Sequence, residues 1–189
     1  HIVAHEAGIA LTLERVDTKT KQTASGRDFR EINPKGYVPA LELEDGSLLT
    51  EGPVISQYLA DQKPGSGLAP PAGTMPRYRL QELLGYINSE LHKSYSPLFN
   101  PATSAEAREE RMQYITRRYQ LIEPILEASG AYLFGEAFTV ADAYLFTVTS
   151  WARMVKLDLS AFPALLAFQK RVAARPAVIA AMTAEGLMK

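Results

Sequence analysis

Apolar residues recur at helical spacing through the second half of the chain. One stripe runs over 80–91 and another over 112–126, and both have the period of amphipathic helices. The segment 140–155 is apolar nearly all round, which predicts a buried helix. It opens with Thr139-Val-Ala-Asp142, a capping-box sequence that satisfies free amides of a first helical turn. A similar pattern at Thr103–Glu106 predicts another helix start, and two further helices are expected to begin near Pro163 and Pro176.

Residues 1–62 show a different pattern, with short apolar segments between glycines and prolines. We predict strands at Ile9–Val16 and from Val38 onward. Asp45-Gly46 is typical of a hairpin turn and is expected to return Ser47–Leu49 alongside the second of these strands. Helices are predicted at three places: over the first residues up to Gly8, after the capping pattern Ser25–Asp28, and over Pro53–Asp61.

Residues 63–74 separate these two patterns. Six of the twelve residues in KPGSGLAPPAGT are glycine or proline, which is typical of a connecting segment. The sequence therefore predicts a small α/β domain over 1–62, a linker over 63–74 and an all-helical domain over 75–189.

The charge and amino-acid composition exclude several classes of function. The chain has 189 residues, with 20 basic and 21 acidic side chains and a net charge of -1. It lacks the basic surface that would attract nucleic acid or an anionic membrane, so we expect neither as a partner. No apolar run is long enough to span a bilayer. There is no cysteine, and the lack of disulfides fits a cytoplasmic location.

Asn33-Pro-Lys-Gly-Tyr-Val-Pro39 is the most informative stretch of the first domain. It ends a helix, turns, and enters a strand at a proline, which places that strand at an edge or a bend. Read from spacing alone, the stretch is also compatible with a plain loop, since most X-Pro bonds are trans.

Thr50-Glu-Gly-Pro53 places a helix start directly after a strand. The free amides and the helix dipole there attract a carboxylate, and Glu51 supplies a carboxylate for an ammonium group. The pair would suit the head group of an amino acid. The alternative is that Thr50 and Glu51 only cap the helix.

The first helix of the second domain carries Ser89, His92 and Lys93 on its C-terminal part. His92 can titrate near neutral pH or form hydrogen bonds, although a solvent-facing histidine without a function would read the same way. His1 and His5 have a spacing that could bind a metal. Because neither a third ligand nor an acidic partner lies nearby, we predict no metal site.

Taken together, these residues resemble the glutathione transferases, and most closely the bacterial beta class. The resemblance covers essentially the whole chain. The superfamily is indicated by two stretches, Asn33–Leu41 and Leu49–Pro53, and the beta class by Ser89-Glu-Leu-His-Lys93. Phe138–Val148 and the C-terminal residues fit as well.

The resemblance implies a thioredoxin-like N-terminal domain, a helical C-terminal domain and a cis Val38–Pro39 bond. Val38 would pair with the cysteinyl backbone of glutathione as an added strand, and Glu51 and the Gly52 amide would hold the γ-glutamyl head. Many relatives carry serine at position 52, so a hydroxyl contact is missing here. Other site residues implied by the resemblance are Lys21 and Tyr37 near the glycyl end, and Ser89, His92 and Lys93 on the helix.

Members of the beta class begin with a strand and a turn carrying a cysteine, followed by the helix that this chain enters at His1. We expect such a segment to lie between the strands at Ile9–Val16 and Val38, because those strands would otherwise lack a shared neighbour.

The predicted reaction is attack of the glutathione thiolate, which is the nucleophilic form, on a small hydrophobic electrophile. His92 is expected to take a secondary catalytic role, donating to the sulfur or to the electrophile. Glutathione acts as co-substrate, and a cytoplasmic homodimer with a detoxifying role is expected. Three alternatives remain open: a non-catalytic protein that binds glutathione or an apolar ligand, a glutathione-dependent thiol–disulfide exchanger, and a partner-binding helical module that does not bind glutathione.

Overall fold

The computed structural model describes residues 1–188. The N-terminal part is built from short elements, as its broken hydrophobic pattern predicts. Its helices and strands are α1 (Ile2–Glu6), α2 (Phe29–Ile32), β1 (Ala40–Glu42), β2 (Leu48–Thr50) and α3 (Gly52–Gln62).

Strands β1 and β2 form the predicted hairpin. They are antiparallel, with Leu41 opposite Leu49 at the centre of the register. The turn contains Gly46 at φ 79°, in the left-handed region that glycine adopts without steric cost. Asp45 supports the turn by accepting a hydrogen bond from the Ser47 N–H at 2.9 Å.

The strand predicted over Ile9–Val16 is wrong. Among the described residues, this segment contributes only an isolated bridge between Val16 and Thr23, although its apolar members Ile9 and Leu11 still pack against the core. Alternating hydrophobicity determines which side chains face the core, but a strand also needs a neighbouring strand to which its backbone can hydrogen-bond. None of the described residues supplies such a neighbour for positions 10–14.

Two predicted helix starts are displaced. The second helix begins at Phe29, and its cap is Asp28, whose carboxylate accepts from the Arg30 N–H at 2.9 Å. The Ser25 hydroxyl instead hydrogen-bonds Glu14, so Ser25–Asp28 is not a capping box. Likewise Ser104, one residue later than predicted, caps the long helix. In both cases a run of capping residues allowed more than one start, and local contacts selected one of them.

The C-terminal part is helical. Before it, residues 63–74 contain a short 3₁₀ turn over Pro64–Ser66 and otherwise irregular backbone. The elements that follow are α4 (Met75–Tyr86), a π-helical segment (Ile87–His92), α5 (Lys93–Tyr95), a 3₁₀ turn (Ser96–Phe99), α6 (Ala105–Ser129), α7 (Val140–Val155), α8 (Pro163–Ala173) and α9 (Pro176–Ala184).

Helix α7 is the centre of the core, as its sequence predicts. It packs against α1, α3, α4, the π-helical segment and α8. The Thr139–Asp142 capping box is confirmed. The fully buried Asp142 carboxylate accepts hydrogen bonds from the Thr139 N–H, the Thr139 hydroxyl and the Leu133 N–H at 2.7–2.8 Å. The capping box therefore also fixes the loop before α7.

Helix α1 joins the two ends of the chain by packing against α9. Its Glu6 carboxylate accepts hydrogen bonds from Nε and from one Nη atom of Arg175, at 2.6 and 2.9 Å. The guanidinium also lies 4.1 Å from the ring centroid of Phe138, a cation–π geometry. Of the helices within residues 1–188, none combines the length and the apolar character that crossing a membrane requires.

Candidate functional site

The loop after α2 is shaped by Asn33. This side chain is buried, donates through Nδ2 to the Tyr37 carbonyl at 2.7 Å and accepts from the Lys35 N–H at 3.2 Å. Asparagine closes turns in this way because its amide mimics the backbone. The loop then enters β1 through a cis Val38–Pro39 bond, as predicted. Tyr37 and Val38 are left exposed, so the Val38 backbone is presented at an accessible edge.

The junction of β2 and α3 concentrates negative charge and free amides. Glu51 is the N-cap of α3 and has φ 69°. The Gly52 N–H has no acceptor among residues 1–188, as is usual for a first helical turn. Lys35 donates to Glu51 Oε1 at 2.8 Å and holds the pKa of that carboxyl below its ordinary value. A carboxylate and an unpaired amide therefore lie side by side.

The helical part contributes side chains from the π-helical segment and its C-terminal end. A π-helical turn is rare and is often found at functional sites. Here it carries Ser89 and His92 and is followed directly by Lys93. Ser89 and Lys93 are exposed, whereas His92 is half-buried.

His92 is surrounded by polar and aromatic groups. Its Nδ1 lies 2.7 Å from the Tyr144 hydroxyl, which donates to Asn88 Oδ1 at 2.9 Å. The Trp151 ring meets the imidazole edge-on, with centroids 4.7 Å apart. Burial, and secondarily the Lys93 charge, lowers the pKa of His92, with Glu51 opposing the shift. The ring is therefore held mostly neutral near neutral pH.

Tyr37 connects the two halves of the candidate site. Lys21 Nζ lies 5.6 Å from the centroid of its ring and Lys93 Nζ lies 5.9 Å away. Lys21 also donates to the Gly36 carbonyl at 2.9 Å, which ties the segment before α2 to the loop. Two cations therefore flank one exposed aromatic ring.

The structure brings most of the predicted site residues together. Gly52 lies against Pro39, with 3.6 Å between an ideal Cβ and Pro39 Cγ. The Lys93 charge lies close enough to Glu51 to help lower the pKa of its carboxyl. Ser89 differs, because its hydroxyl donates back to the Gly85 carbonyl at 3.0 Å and makes no polar contact with the other predicted site residues.

Several residues around the site were not predicted. Lys35 lies within the Asn33–Pro39 stretch, but its ion pair with Glu51 is not predicted from the sequence. Tyr144 and Trp151 lie in the apolar α7 sequence and read as core residues. Asn33 begins a stretch that the sequence singles out, but its part in closing the loop is not predicted, and Asn88 carries no signal except its helix position. The polar partner of a histidine cannot be located from one sequence when it lies 52 residues away.

The arrangement fits a ligand with charges at both ends. The Glu51 carboxylate can hold an ammonium group, the Gly52 amide a carboxylate, and Lys21 and Lys93 a second carboxylate. The Val38 backbone can pair with an extended peptide. Among residues 1–188, no group of three or more acidic or histidine side chains could hold a metal ion.

Comparison with known proteins identifies the family to which a chain with this site belongs. The family described as "Glutathione S-transferase, N-terminal domain" matches residues 1–62, and "Glutathione S-transferase, C-terminal domain" matches residues 86–176. Glutathione S-transferase GstA of Escherichia coli O157:H7 is 44% identical over 99% of this chain and 92% of its own.

Solved structures agree. The beta class glutathione S-transferase of Sphingomonas chungbukensis has a TM-score of 0.95 at 42% identity, covering 100% of this chain and 93% of that one. A sphingomonad glutathione S-transferase complexed with glutathione has a TM-score of 0.94 at 43% identity, with the same coverage. The predicted fold class and enzyme class are confirmed. The chain belongs to the glutathione S-transferase family.

Proposed function

We propose that the loop before β1 and the start of α3 bind glutathione. Glu51 and the Gly52 N–H hold the ammonium and carboxylate of the γ-glutamyl head, and Val38 pairs with the cysteinyl backbone beside Pro39. Lys21 and Tyr37 contact the glycyl end. The observation that carries this proposal is the Glu51 carboxylate beside the unpaired Gly52 amide. A similar glutathione S-transferase was solved with glutathione bound.

In this proposal, the C-terminal helical part faces the sulfur of the bound glutathione. Ser89, His92 and Lys93 line this side, and the half-buried His92 ring hydrogen-bonds at the sulfur. The thiolate attacks a small hydrophobic electrophile, so a carbon–sulfur bond forms while the leaving group departs with its electron pair. The residues of 1–62 thus act as the glutathione domain and those of 75–189 as the acceptor domain. We propose a detoxifying role in the cytoplasm.

The experiment separates binding from turnover. We expect Glu51→Gln to raise the glutathione KM about tenfold, since charge-assisted hydrogen bonds at partly exposed sites contribute about 1–2 kcal/mol. We expect His92→Ala to lower kcat by less than about 100-fold with little change in that KM. Turnover of 1-chloro-2,4-dinitrobenzene measures both. Glu44→Gln, an exposed change on the hairpin, is the control.

Three outcomes would contradict this proposal. Glutathione binding without turnover would favour the non-catalytic binding protein. Turnover of a mixed disulfide, but not of the dinitrobenzene, would favour thiol–disulfide exchange. Absence of glutathione binding would remove the proposal altogether.

We further propose that the protein is a homodimer. A cavity of about 400 Å³ between α4 and α6 is lined largely by apolar side chains, including Leu83, Leu121, Ile125 and Phe134. Leu121 is 54% exposed, and a second copy would cover this face by two-fold symmetry. Light scattering should give twice the mass of one chain. Leu121→Glu should give the monomer, whereas Leu166→Glu, at another exposed leucine, should not.

A further inference from the structure

Three side chains from two elements meet around one hydroxyl. Asn88 and His92 lie four residues apart in the π-helical segment, and Tyr144 reaches them from α7. The Tyr144 oxygen is 2.9 Å from Asn88 Oδ1 and 2.7 Å from His92 Nδ1. Residues at this spacing share a helix face, so both contact the same tyrosine.

The number of protons on each group determines which group donates in these two hydrogen bonds. A tyrosine hydroxyl has a single proton to donate, and Tyr144 donates it to Asn88 Oδ1. The same oxygen can therefore only accept from His92 Nδ1. In a neutral imidazole, one nitrogen carries the proton and the other the lone pair, so Nδ1 is the protonated nitrogen and Nε2 carries the lone pair.

We propose that Tyr144 and Asn88 are positioning residues, which fix the His92 ring with its proton on Nδ1 and present the Nε2 lone pair to the bound thiol. The effect on the thiol rests on the function proposed above. The neutral ring then accepts a hydrogen bond from the S–H of the bound thiol and takes that proton when the nucleophilic thiolate forms, whereas the sequence predicts that His92 donates a hydrogen bond.

The surroundings of the ring support this assignment. Burial raises the pKa of Tyr144 well above its ordinary value, so its hydroxyl stays protonated and can donate to Asn88. His92 Nε2 forms no hydrogen bond with any residue of 1–188 and is not among the buried unpaired atoms. It is therefore open to a ligand. The edge-on Trp151 ring limits rotation of the imidazole.

Nitrogen NMR of histidine-labelled protein tests the tautomer directly. The chain has three histidines, and His92→Ala identifies the signals. Above the titration range of His92, we expect a protonated Nδ1 and an unprotonated Nε2 in the unaltered protein. Tyr144→Phe should shift the proton toward Nε2. A proton on Nε2 in the unaltered protein, or no change in Tyr144→Phe, would overturn the proposal.

Position 88 gives a sharper test. Asn88→Leu removes the acceptor, so the Tyr144 proton is free to turn to Nδ1 and the imidazole proton should move to Nε2. Asn88→Asp keeps an acceptor oxygen and should retain the original tautomer. The control is Tyr86→Phe, which removes another half-buried hydroxyl, one that donates to the Arg118 carbonyl at 2.9 Å. The same tautomer in Asn88→Leu and Asn88→Asp would contradict the assignment.

Kinetics separate this proposal from the function on which it rests. We expect Tyr144→Phe to lower kcat about fivefold, as the loss of one hydrogen bond predicts, with glutathione KM unchanged. Added to His92→Ala, it should lower kcat no further. An equal fivefold loss in both backgrounds would show that Tyr144 does not act through His92. If His92→Ala keeps full kcat, the catalytic role fails, while the NMR result still decides the positioning role.

Discussion

Residues 1–62 and 75–188 contribute to the site in different ways. The first region offers mainly backbone groups and charges placed by loops, such as the Val38 edge and the Gly52 amide. The second offers side chains from helices, with His92 held by hydrogen bonds and an aromatic contact. The large side chains that are most completely buried all come from the second region, Tyr95, Tyr119 and Phe168 among them. The deeply buried helical core thus supports the loops that we propose bind glutathione.

The largest effect is expected within the helical core. Asp142→Ala removes an acceptor from three buried donors, and each unpaired buried donor costs about 1–3 kcal/mol. We expect the free energy of unfolding to fall by about 3 kcal/mol, measured by urea denaturation. Asp158→Ala is the matched control, since that exposed carboxylate also accepts from a loop N–H, at 2.8 Å. Equal losses in the two variants would contradict the core role of Asp142.

A smaller loss is expected where the two regions meet. Glu6→Gln replaces the carboxylate that accepts two hydrogen bonds from the Arg175 guanidinium. We expect a loss of about 1.5 kcal/mol, since hydrogen bonds between charged groups contribute about 1.5–3 kcal/mol. This corresponds to a fall in Tm of about 3–6 °C for a chain of this size.

Glu109→Gln is the control for Glu6. It removes an exposed carboxylate that accepts a hydrogen bond from the Gln113 side chain at 3.1 Å, and exposed pairs four residues apart on a helix contribute only about 0.2–0.5 kcal/mol. If both variants changed Tm equally, α1 would not be anchored by Arg175.

The smallest effect is expected in the loops proposed to bind glutathione. A serine Cβ at position 52 would meet Pro39 Cγ at 3.6 Å, which is ordinary contact. Gly52→Ser adds the hydroxyl that the family resemblance implies at this position, and we expect the Kd for glutathione to fall about threefold. Gly52→Ala adds the Cβ alone and should leave Kd unchanged. Tighter binding by both variants would attribute the gain to backbone rigidity.

The difference between the regions also explains what the sequence predicts. Helical periodicity is local, so the α6 and α7 segments and the Thr139–Asp142 capping box follow from residues three and four apart. The Asp45-Gly46 hairpin is local as well. The segment 9–16 has the alternation of a strand, but strand formation depends on a distant backbone partner, and the prediction there is wrong.

The candidate site divides in the same way. Val38, Pro39 and Glu51 lie in short stretches whose turn chemistry and family resemblance are visible in the sequence. The roles of Tyr144 and Asn88 are not visible in the sequence. Tyr144 has the spacing of a core residue and contacts His92 only because α7 packs on the π-helical segment. A contact between positions 92 and 144 requires the fold.

The central claim is that Glu51 recognises the γ-glutamyl head of glutathione. Isothermal titration calorimetry of two ligands, glutathione and the dipeptide Cys-Gly, with the unaltered protein and Glu51→Gln tests it most directly. We predict that Glu51→Gln weakens glutathione binding about tenfold and leaves the weaker binding of Cys-Gly unchanged. An equal loss for both ligands, or no loss for glutathione, would contradict the account.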